Sequence, residues 1–515
     1  MKSAEATEWR AAEEKEMNSC ERAGTWVVVA RFSLPHGTNV LPVKWVYKKK
    51  NDETGALTEY KARITPKGFR QKPGVDYFEV YAHTGKYKVL RICLSFAAAR
   101  NMEITQLDVP SAFVRADLDE KVYMEMPAGF TQPGMVCELK KSLYGLKQSP
   151  RNWYRLLSSF IVGSLGWKAT VSDPCLFIKH ARSGRPMLLF VFVDDMQGFY
   201  EKADTDDWLE TKRGLHERFE TKDLGDSKWM LGMRITRDRA AGTIKLDQEL
   251  YVTKALERYQ LDECRVARTP AEVNHGAQED DADGAGKPAH IPTYQEKIGV
   301  LLYAAISTRL DIAHAVSVLA RHVQAPLERH MNAVNRIFRY LAGTRDVGLV
   351  FGGRVAPTES VSLSAFSDAD WAQNKAHRKS TTGWIARVNG DPVSWQSKKQ
   401  ASVSLSTCES ELYAECAAAQ ELRWLAGLMR ELGMKLKHTP LLYGDNQSAI
   451  AAAKNGVRTE RMKHIDIKFH FITDLIERGK LHMDWISTHE QQADILTKAL
   501  GCQPFAKLRK LLMSE

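Results

Sequence analysis

The residues best suited to chemistry in this 515-residue chain are acidic and fall into two groups. Asp194 and Asp195 are adjacent in Met187-Leu-Leu-Phe-Val-Phe-Val-Asp-Asp-Met-Gln-Gly198, and Asp108, in Gln106-Leu-Asp-Val109, is the candidate third member. Asp368, Glu409, Asp445 and Asp494 are spread over the C-terminal third. Neighbouring carboxylates repel each other and lose hydration on burial unless a cation sits between them. A pair of metal ions removes that cost and serves phosphoryl transfer, one ion activating the attacking oxygen and the other stabilising the leaving group. Two such sets in one basic chain point to an enzyme that builds nucleic acid and also degrades it.

These acids need elements to hold them. The apolar run 187–193 reads as a buried strand, and Gly198-Phe-Tyr200 begins its return, so Asp194 and Asp195 are expected at a hairpin tip. Asp108 ends the strand-like segment 102–107, and Pro110-Ser-Ala-Phe113 is expected to open a helix. Further strands are expected at 25–29 and 43–48, and helices at 91–99 and 153–162. In the C-terminal third, Asp368 follows the strand 363–367, Glu409 falls in the first turn of a helix over 409–432, and Asp445 ends the strand 441–444. Asp494 stands at a helix start. Sheet ends and helix starts can bring four distant acids together, and Val388-Asn-Gly-Asp391 carries a strong hairpin signal.

The length exceeds one core, so several domains are expected. Hydrophobic content of 44% and charged content of 26% are those of a globular protein. An excess of 73 Lys and Arg over 63 Asp and Glu gives a net charge of +10, which favours polyanionic partners. The eight cysteines include no Cys-x-x-Cys pair, which argues against a zinc ribbon or a disulfide framework. No apolar run approaches the roughly 18–20 residues of a membrane span, and the start is no signal peptide. An intracellular protein without a membrane partner is expected. The acidic, small-residue segment Glu279-Asp-Asp-Ala-Asp-Gly-Ala-Gly286 reads as a linker, and 351–358 as a softer boundary. Between them, 294–340 has helical period.

Longer motifs make the chain resemble the Pol region of Ty1/copia-type LTR retrotransposons. They are Lys44-Trp-Val-Tyr-Lys48, Tyr60-Lys-Ala-Arg63 with Lys67-Gly-Phe69, Gln106-Leu-Asp-Val109 with Ala112-Phe113, Ser142-Leu-Tyr-Gly-Leu-Lys-Gln-Ser-Pro-Arg151 and Phe192-Val-Asp-Asp195. Downstream, Ser367-Asp-Ala-Asp-Trp371, Ser380-Thr-Thr-Gly383, Ser406-Thr-Cys-Glu-Ser-Glu411, Asp445-Asn-Gln447, Lys463-His-Ile-Asp466 and Ala493-Asp-Ile-Leu-Thr-Lys498 resemble the ribonuclease H domain of that family. The resemblance implies an α+β and α/β multidomain chain, a right-hand (fingers, palm, thumb) reverse transcriptase followed by an RNase H-like domain with a mixed sheet and flanking helices. It divides the sequence into a lead-in (1–23), fingers and palm (24–268), an acidic linker (269–293), a helical thumb or connection (294–355) and the RNase H-like domain (356–515), with Arg309 and Asp311 in the joining region.

The same resemblance makes Asp108, Asp194 and Asp195 the polymerase metal ligands, and Asp368, Glu409, Asp445 and Asp494 those of the nuclease. Mg2+ is the implied cofactor, with Mn2+ as an alternative. Phe113 would close against the sugar 2′ position, Gln148 would touch the incoming nucleotide, and Lys61 and Arg63 would meet its triphosphate. His489 is a candidate for helping product leave. The implied partners are an RNA template, a primer, RNA–DNA hybrid, deoxynucleoside triphosphates and other Pol or Gag products of the element. The expected function is RNA-directed DNA synthesis with ribonuclease H activity on hybrids. The rival is a degenerate or domesticated relic that binds nucleic acid without catalysis. Departures from the family pattern include Pro110, His83, Phe192, Cys408 and the turn Val114-Arg-Ala-Asp117. Pro110, beside the strand of Asp108, is the one expected to displace a ligand.

Overall fold

The structure is a computed structural model, and it describes residues 5–51, 56–273, 287–353, 360–371, 378–455 and 466–514. Its centre is a six-stranded sheet in the order Lys222–Asp226, Glu103–Asp108, Asp195–Tyr200, Pro186–Phe192, Leu176–His180, Lys168–Ala169. The strand Pro186–Phe192 is apolar at successive positions because both of its faces are covered. Leu188 and Phe190 join Val89, Ile92 and Phe96 of the helix Tyr87–Ala99 in one core. Met187, Leu189 and Val191 join Trp153 and Leu157 of the helix Ser149–Gly163, and Trp208 and Leu215 of the helix Thr205–Phe219, in another. Period-two alternation thus sorts one strand between two cores. At Gly198 an added Cβ would lie 2.1 Å from the Trp208 ring, so glycine here lets the indole cross the sheet. That ring stacks on Tyr200.

On one side of this sheet stands the long hairpin of Val43–Asn51 with Leu57–Pro66. Beside it lies a four-stranded sheet in the order Trp26–Ala30, Met135–Lys141, Asp117–Glu125, Val40–Leu41. The 1–23 stretch, expected as a lead-in, instead supplies the helix Ala6–Arg22, which buries Ala12, Met17 and Cys20. Trp9 on that helix packs edge-on against Tyr47 and Tyr60, at 5.1 and 4.7 Å between ring centroids.

The acidic stretch 269–293 is a boundary in composition and not in the sheets. A four-stranded sheet in the order Trp229–Met230, Met233–Asp238, Thr243–Asp247, Leu349–Gly352 takes strands from both sides of it. Most of the linker itself, including Glu279–Gly286, lies outside the described residues. The helical period over 294–340 corresponds to Ile291–Ser307, Ala313–Leu319 and Glu328–Ala342. Arg309 and Asp311 are fully buried there as an ion pair, with Arg309 donating to the Thr344 carbonyl (2.6 Å) and Tyr340 to Asp311 (2.5 Å). Every polar group of the pair is therefore matched, as a buried pair requires.

From Ser360 onward the chain builds a five-stranded mixed sheet in the order Asp391–Lys399, Thr381–Val388, Leu363–Asp370, Leu441–Gly444, His482–Trp485. The first three strands are antiparallel and the last two join in parallel. The expected hairpin is present: Val388 pairs with Asp391, and Asn389 and Gly390 both have positive φ, 52° and 86°. Such a pair of residues defines the turn whose twist matches that of the strands. The helix Thr407–Glu431 crosses the sheet and buries Leu412, Cys416, Ala419, Leu422 and Leu425, as the sequence spacing requires. The expected boundary at 351–358 falls partly within the described residues, where Gly352 and Gly353 have positive φ.

The two halves meet tightly. Arg91, 5% exposed on the helix Tyr87–Ala99, donates to the carbonyls of Val393 (2.7 Å), Ile306 (2.8 Å) and Ser307 (2.7 Å). Its guanidinium lies 4.0 Å from the centroid of Trp395. The whole is a mixed α/β chain in which the six-stranded sheet is followed by the five-stranded mixed sheet.

Candidate functional site

The first acid set forms at a hairpin tip. Phe192 pairs with Asp195, leaving Val193 and Asp194 as the turn. Val193 has φ +57°, a conformation that costs a β-branched residue roughly 1–2 kcal/mol. Two hydrogen bonds hold it: Trp153 Nε1 donates to the Val193 carbonyl (2.8 Å), and the Val109 N–H donates to the Asp194 carbonyl (3.0 Å). On the next strand Asp108 stands directly opposite Asp195. Pro110 does not disturb this register. Proline disfavours helical backbone at its predecessor, so Val109 leads directly out of the strand Glu103–Asp108, and the chain turns afterwards at Ser111, with φ +53°.

Asp108, Asp194 and Asp195 share the lining of a cavity of about 410 Å3 with Val46, Lys48, Lys50, Lys61 and Arg63. The basic residues come from the long hairpin, where Val46 pairs with Arg63 and Lys48 with Lys61, so alternate residues meet the cavity. Burial, then Asp194 and Asp108, push the Asp195 carboxyl up to about 6. Asp194 is raised by burial and Asp108, against the pull of Arg63 and Lys61. Lys61 is lowered by burial and by the neighbouring Arg63 and Lys50. Acids crowd one side and cations the other, an arrangement relieved by a ligand carrying both metal cations and phosphates.

Of the expected nucleotide contacts, Lys61 and Arg63 line this cavity, and Arg63 also lies 3.9 Å from the Tyr144 ring centroid. Lys48 and Lys50 were missed, although the alternation in Lys44-Trp-Val-Tyr-Lys-Lys-Lys50 was a usable signal. Phe113 is buried in the short 3-10 helix Ala112–Arg115, edge-on to Tyr144 at 4.6 Å, and is not among the lining residues. Gln148 departs most from its expected role, being fully buried. Its Nε2 donates to the Asp76 carbonyl (2.9 Å), and its Oε1 accepts from Gln71 (2.9 Å). The amide ties the 71–77 loop to the start of the helix Ser149–Gly163, with Glu120 Oε2 3.5 Å from the same Nε2. Gln148→Leu is expected to lower stability by about 1–3 kcal/mol, the cost of stranding buried partners, read as a fall in the urea midpoint.

The second set is drawn closer. Asp368 lies inside the strand Leu363–Asp370, and Asp445 lies just past the parallel strand Leu441–Gly444, two residues beyond the Phe366–Tyr443 pair. The third acid of this cluster is Glu411, not Glu409. Ligand atoms of Asp368, Glu411 and Asp445 all lie within 4.8 Å of one another. Among the described residues this trio alone closes to that degree. Glu409 is occupied at the helix start: the Ser406 hydroxyl accepts from the Glu409 N–H (3.1 Å), and the Glu409 carboxylate accepts from the Leu405 N–H (2.6 Å). Ser406 is thus the N-cap, and the Glu409 carboxylate reaches back past it to the Leu405 N–H, outside the cluster. Glu411, two positions on, stands on a different face and is buried. Its pKa is raised by burial first, then by Asp368 and Asp445.

Asp494, in the 3-10 helix Gln492–Leu496, is pushed up to about 7 by burial and Asp368, with Lys498 opposing. Lys498 Nζ lies 2.9 Å from Asp494 and 3.5 Å from Asp368. Thr497 donates its hydroxyl to Asp368. This approach depends on Gly383, where a Cβ would sit 2.4 Å from the Thr497 methyl. Glu415, one turn beyond Glu411, was also missed; it is 1% exposed, and burial and then Asp445 push it up to about 8. The spacing Glu411-Leu-Tyr-Ala-Glu415 placed both acids on one helix face and was the available signal. His489 is exposed, with Lys507 donating to its carbonyl. Residues 463–465 of the Lys463-His-Ile-Asp466 motif lie outside the described residues.

Residues 23–273 match the family described as reverse transcriptase (RNA-dependent DNA polymerase). Over 508 residues the chain is 39% identical to the retrovirus-related Pol polyprotein from transposon TNT 1-94 of Nicotiana tabacum, covering 97% of this chain and 37% of that protein. It is 36% identical to the corresponding polyprotein from transposon RE2 of Arabidopsis thaliana (96% and 33% covered) and 27% identical to the transposon Ty1-DR1 Gag-Pol polyprotein of Saccharomyces cerevisiae (96% and 28% covered). The chain thus spans roughly a third of the length of these relatives. Among solved structures, the foamy viral protease-reverse transcriptase in complex with RNA/DNA hybrid is similar at 10% identity and a TM-score of 0.46, over 93% of this chain and 54% of that one. No helix among the described residues is long and apolar enough to cross a membrane. Residues 23–273 belong to the reverse transcriptase family, and nearly the whole chain is homologous to the Pol polyproteins of Ty1/copia-type retrotransposons.

Proposed function

We propose that the chain is an RNA-directed DNA polymerase joined to a ribonuclease H, copying retrotransposon RNA into DNA and cutting the RNA strand of the resulting hybrid. The observation that carries this reading is the cavity shared by Asp108, Asp194 and Asp195 with Lys48, Lys50, Lys61 and Arg63. The residues fit divalent cations, because crowded, buried carboxylates with raised pKa values gain from positive charge among them. Asp108, Asp194 and Asp195 would hold Mg2+ for synthesis, and Asp368, Glu411, Asp445 and Asp494 would hold it for cleavage, with Mn2+ as a substitute. When bound, such ions activate the attacking oxygen and stabilise the leaving one.

The remaining roles belong to the chain. Lys48, Lys50, Lys61 and Arg63 would receive the triphosphate of a deoxynucleotide and balance charge as it shifts to the leaving pyrophosphate. The Val193–Asp194 turn, pinned by Trp153 and Val109, keeps the acids at the tip without relying on a ligand. In the second site Lys498 and Thr497 orient Asp368 and Asp494. The net charge of +10 suits template, primer and hybrid as partners. The test is extension of a DNA primer on an RNA template with Mg2+, beside cleavage of an RNA–DNA hybrid. Incorporation and cleavage are both expected. Salt-sensitive binding of hybrid with neither activity would overturn the reading in favour of a nucleic-acid-binding relic.

A further inference from the structure

Glu415 is 1% exposed on the helix Thr407–Glu431, one turn beyond Glu411, and neither of its carboxylate oxygens has a hydrogen-bond partner. Its neighbours on that helix, Leu412, Ala414, Cys416, Ala418 and Ala419, are apolar and buried. An unpaired buried acceptor costs free energy, and a charged one costs more. A leucine of similar size would pack as well without that cost. An acid kept at such a place calls for a donor or a cation that it meets in use.

The fold also makes room for this carboxylate. Glu415 Oε1 lies 3.0 Å from the point where a Cβ on residue 444 would stand, tighter than an ordinary van der Waals contact. Gly444 lies outside the left-handed region, so the backbone does not itself require glycine there. The missing side chain admits the carboxylate beside the residue that immediately precedes Asp445. The charge of Asp445 reaches Glu415, and that of Glu415 reaches Glu411. Glu415 nonetheless stays outside the trio of Asp368, Glu411 and Asp445 that closes to within 4.8 Å. It therefore stands behind two of those acids and not among them. Mg2+ held by a few carboxylates keeps several of its waters, and such waters donate hydrogen bonds to an outer layer of acceptors.

On the reading that Asp368, Glu411, Asp445 and Asp494 hold Mg2+, we propose that Glu415 is a positioning residue of the nuclease centre, the outer acceptor for water carried by an ion on Glu411 and Asp445. Its buried oxygens then gain the partners they lack, and the ion is held more tightly than the trio alone would hold it.

The experiment is calorimetric titration of the full chain with Mn2+, comparing the native protein with Glu411→Gln, Glu415→Leu and Glu415→Gln. The binding that Glu411→Gln removes belongs to the nuclease centre. Glu415→Leu is expected to weaken that binding at least about tenfold, and Glu415→Gln, which keeps an acceptor, at least about threefold, since losing an outer partner of a metal site costs about 10–100-fold. In hybrid cleavage, the Mg2+ concentration giving half the maximal rate should rise by similar factors, more than the rate at saturating Mg2+ falls. Melting with a chelator present checks folding, and neither variant should melt below the native chain. If the leucine variant fails to fold, the near-isosteric glutamine variant decides alone. Native-like titration by the folded Glu415 variants would overturn the proposal and leave the nuclease reading standing. If the native chain and Glu411→Gln titrate alike, the nuclease reading itself falls, and the proposal falls with it.

Discussion

Asp194→Asn is expected to reduce primer extension on an RNA template by more than roughly a hundredfold, since losing even an outer partner of a metal site costs about 10–100-fold, while RNA cleavage persists. The turn carrying Asp194 is held through its backbone, by the Val109 N–H on the Asp194 carbonyl and by Trp153 on Val193. An isosteric amide leaves both bonds in place. It also removes a charge that burial and Asp108 already oppose, so the metal-free variant should melt no lower than the native chain. Asp195 is pushed up to about 6 by burial and by Asp194. A carboxyl raised in the folded state costs stability in its charged form, fully above that value and not at all below the ordinary aspartate range near 4. Any gain in melting temperature should therefore be present at pH 7 and shrink as the pH falls from 6 towards 4. Thermal melts at several pH values, run beside the extension assay, check both parts.

Glu411→Gln is expected to remove RNA cleavage to a similar degree, again more than roughly a hundredfold, with DNA synthesis retained. Glu409→Gln is expected to cleave normally. The contrast follows from the helix Thr407–Glu431, where Ser406 caps the Glu409 N–H and the Glu409 carboxylate accepts from the Leu405 N–H, while Glu411 meets Asp368 and Asp445. A glutamine Oε1 can accept from the same Leu405 N–H, so the milder variant also keeps its stability. Glu409→Ala, which cannot, should lose about 0.5–2 kcal/mol without losing cleavage. Hybrid cleavage rates for the three variants, with urea midpoints, separate a ligand from a cap. If Glu409→Gln lost cleavage and Glu411→Gln kept it, the cluster would be wrongly assigned.

Much of the fold was legible because it obeys simple periods. The apolar run 187–193 gave the central strand, Val388-Asn-Gly-Asp391 gave a hairpin of the C-terminal sheet, and the spacing of Leu412, Cys416, Ala419 and Leu422 gave the long helix. Asp108, Asp194 and Asp195 line one cavity, and Asp368 and Asp445 meet with Glu411 where Glu409 was expected. That error has a plain cause. Glu409 and Glu411 flank one serine, and choosing between them depends on the helix start, which Ser406 sets by capping. Gln148 failed for a different reason, since a glutamine in a motif does not reveal whether its amide meets a ligand or, as here, Gln71 and Asp76. The boundary at 269–293 failed because composition does not report that Leu349–Gly352 returns to pair with Thr243–Asp247.

The central claim is that one chain holds two separate carboxylate sites with distinct chemistry. Its most direct test is a single Mg2+ reaction in which the DNA primer and the RNA template carry different labels, run with the native chain, Asp194→Asn and Glu411→Gln. The native chain should lengthen the primer and shorten the template, Asp194→Asn should only shorten the template, and Glu411→Gln should only lengthen the primer. Loss of both activities together in either variant, with its melting temperature intact, would contradict the claim.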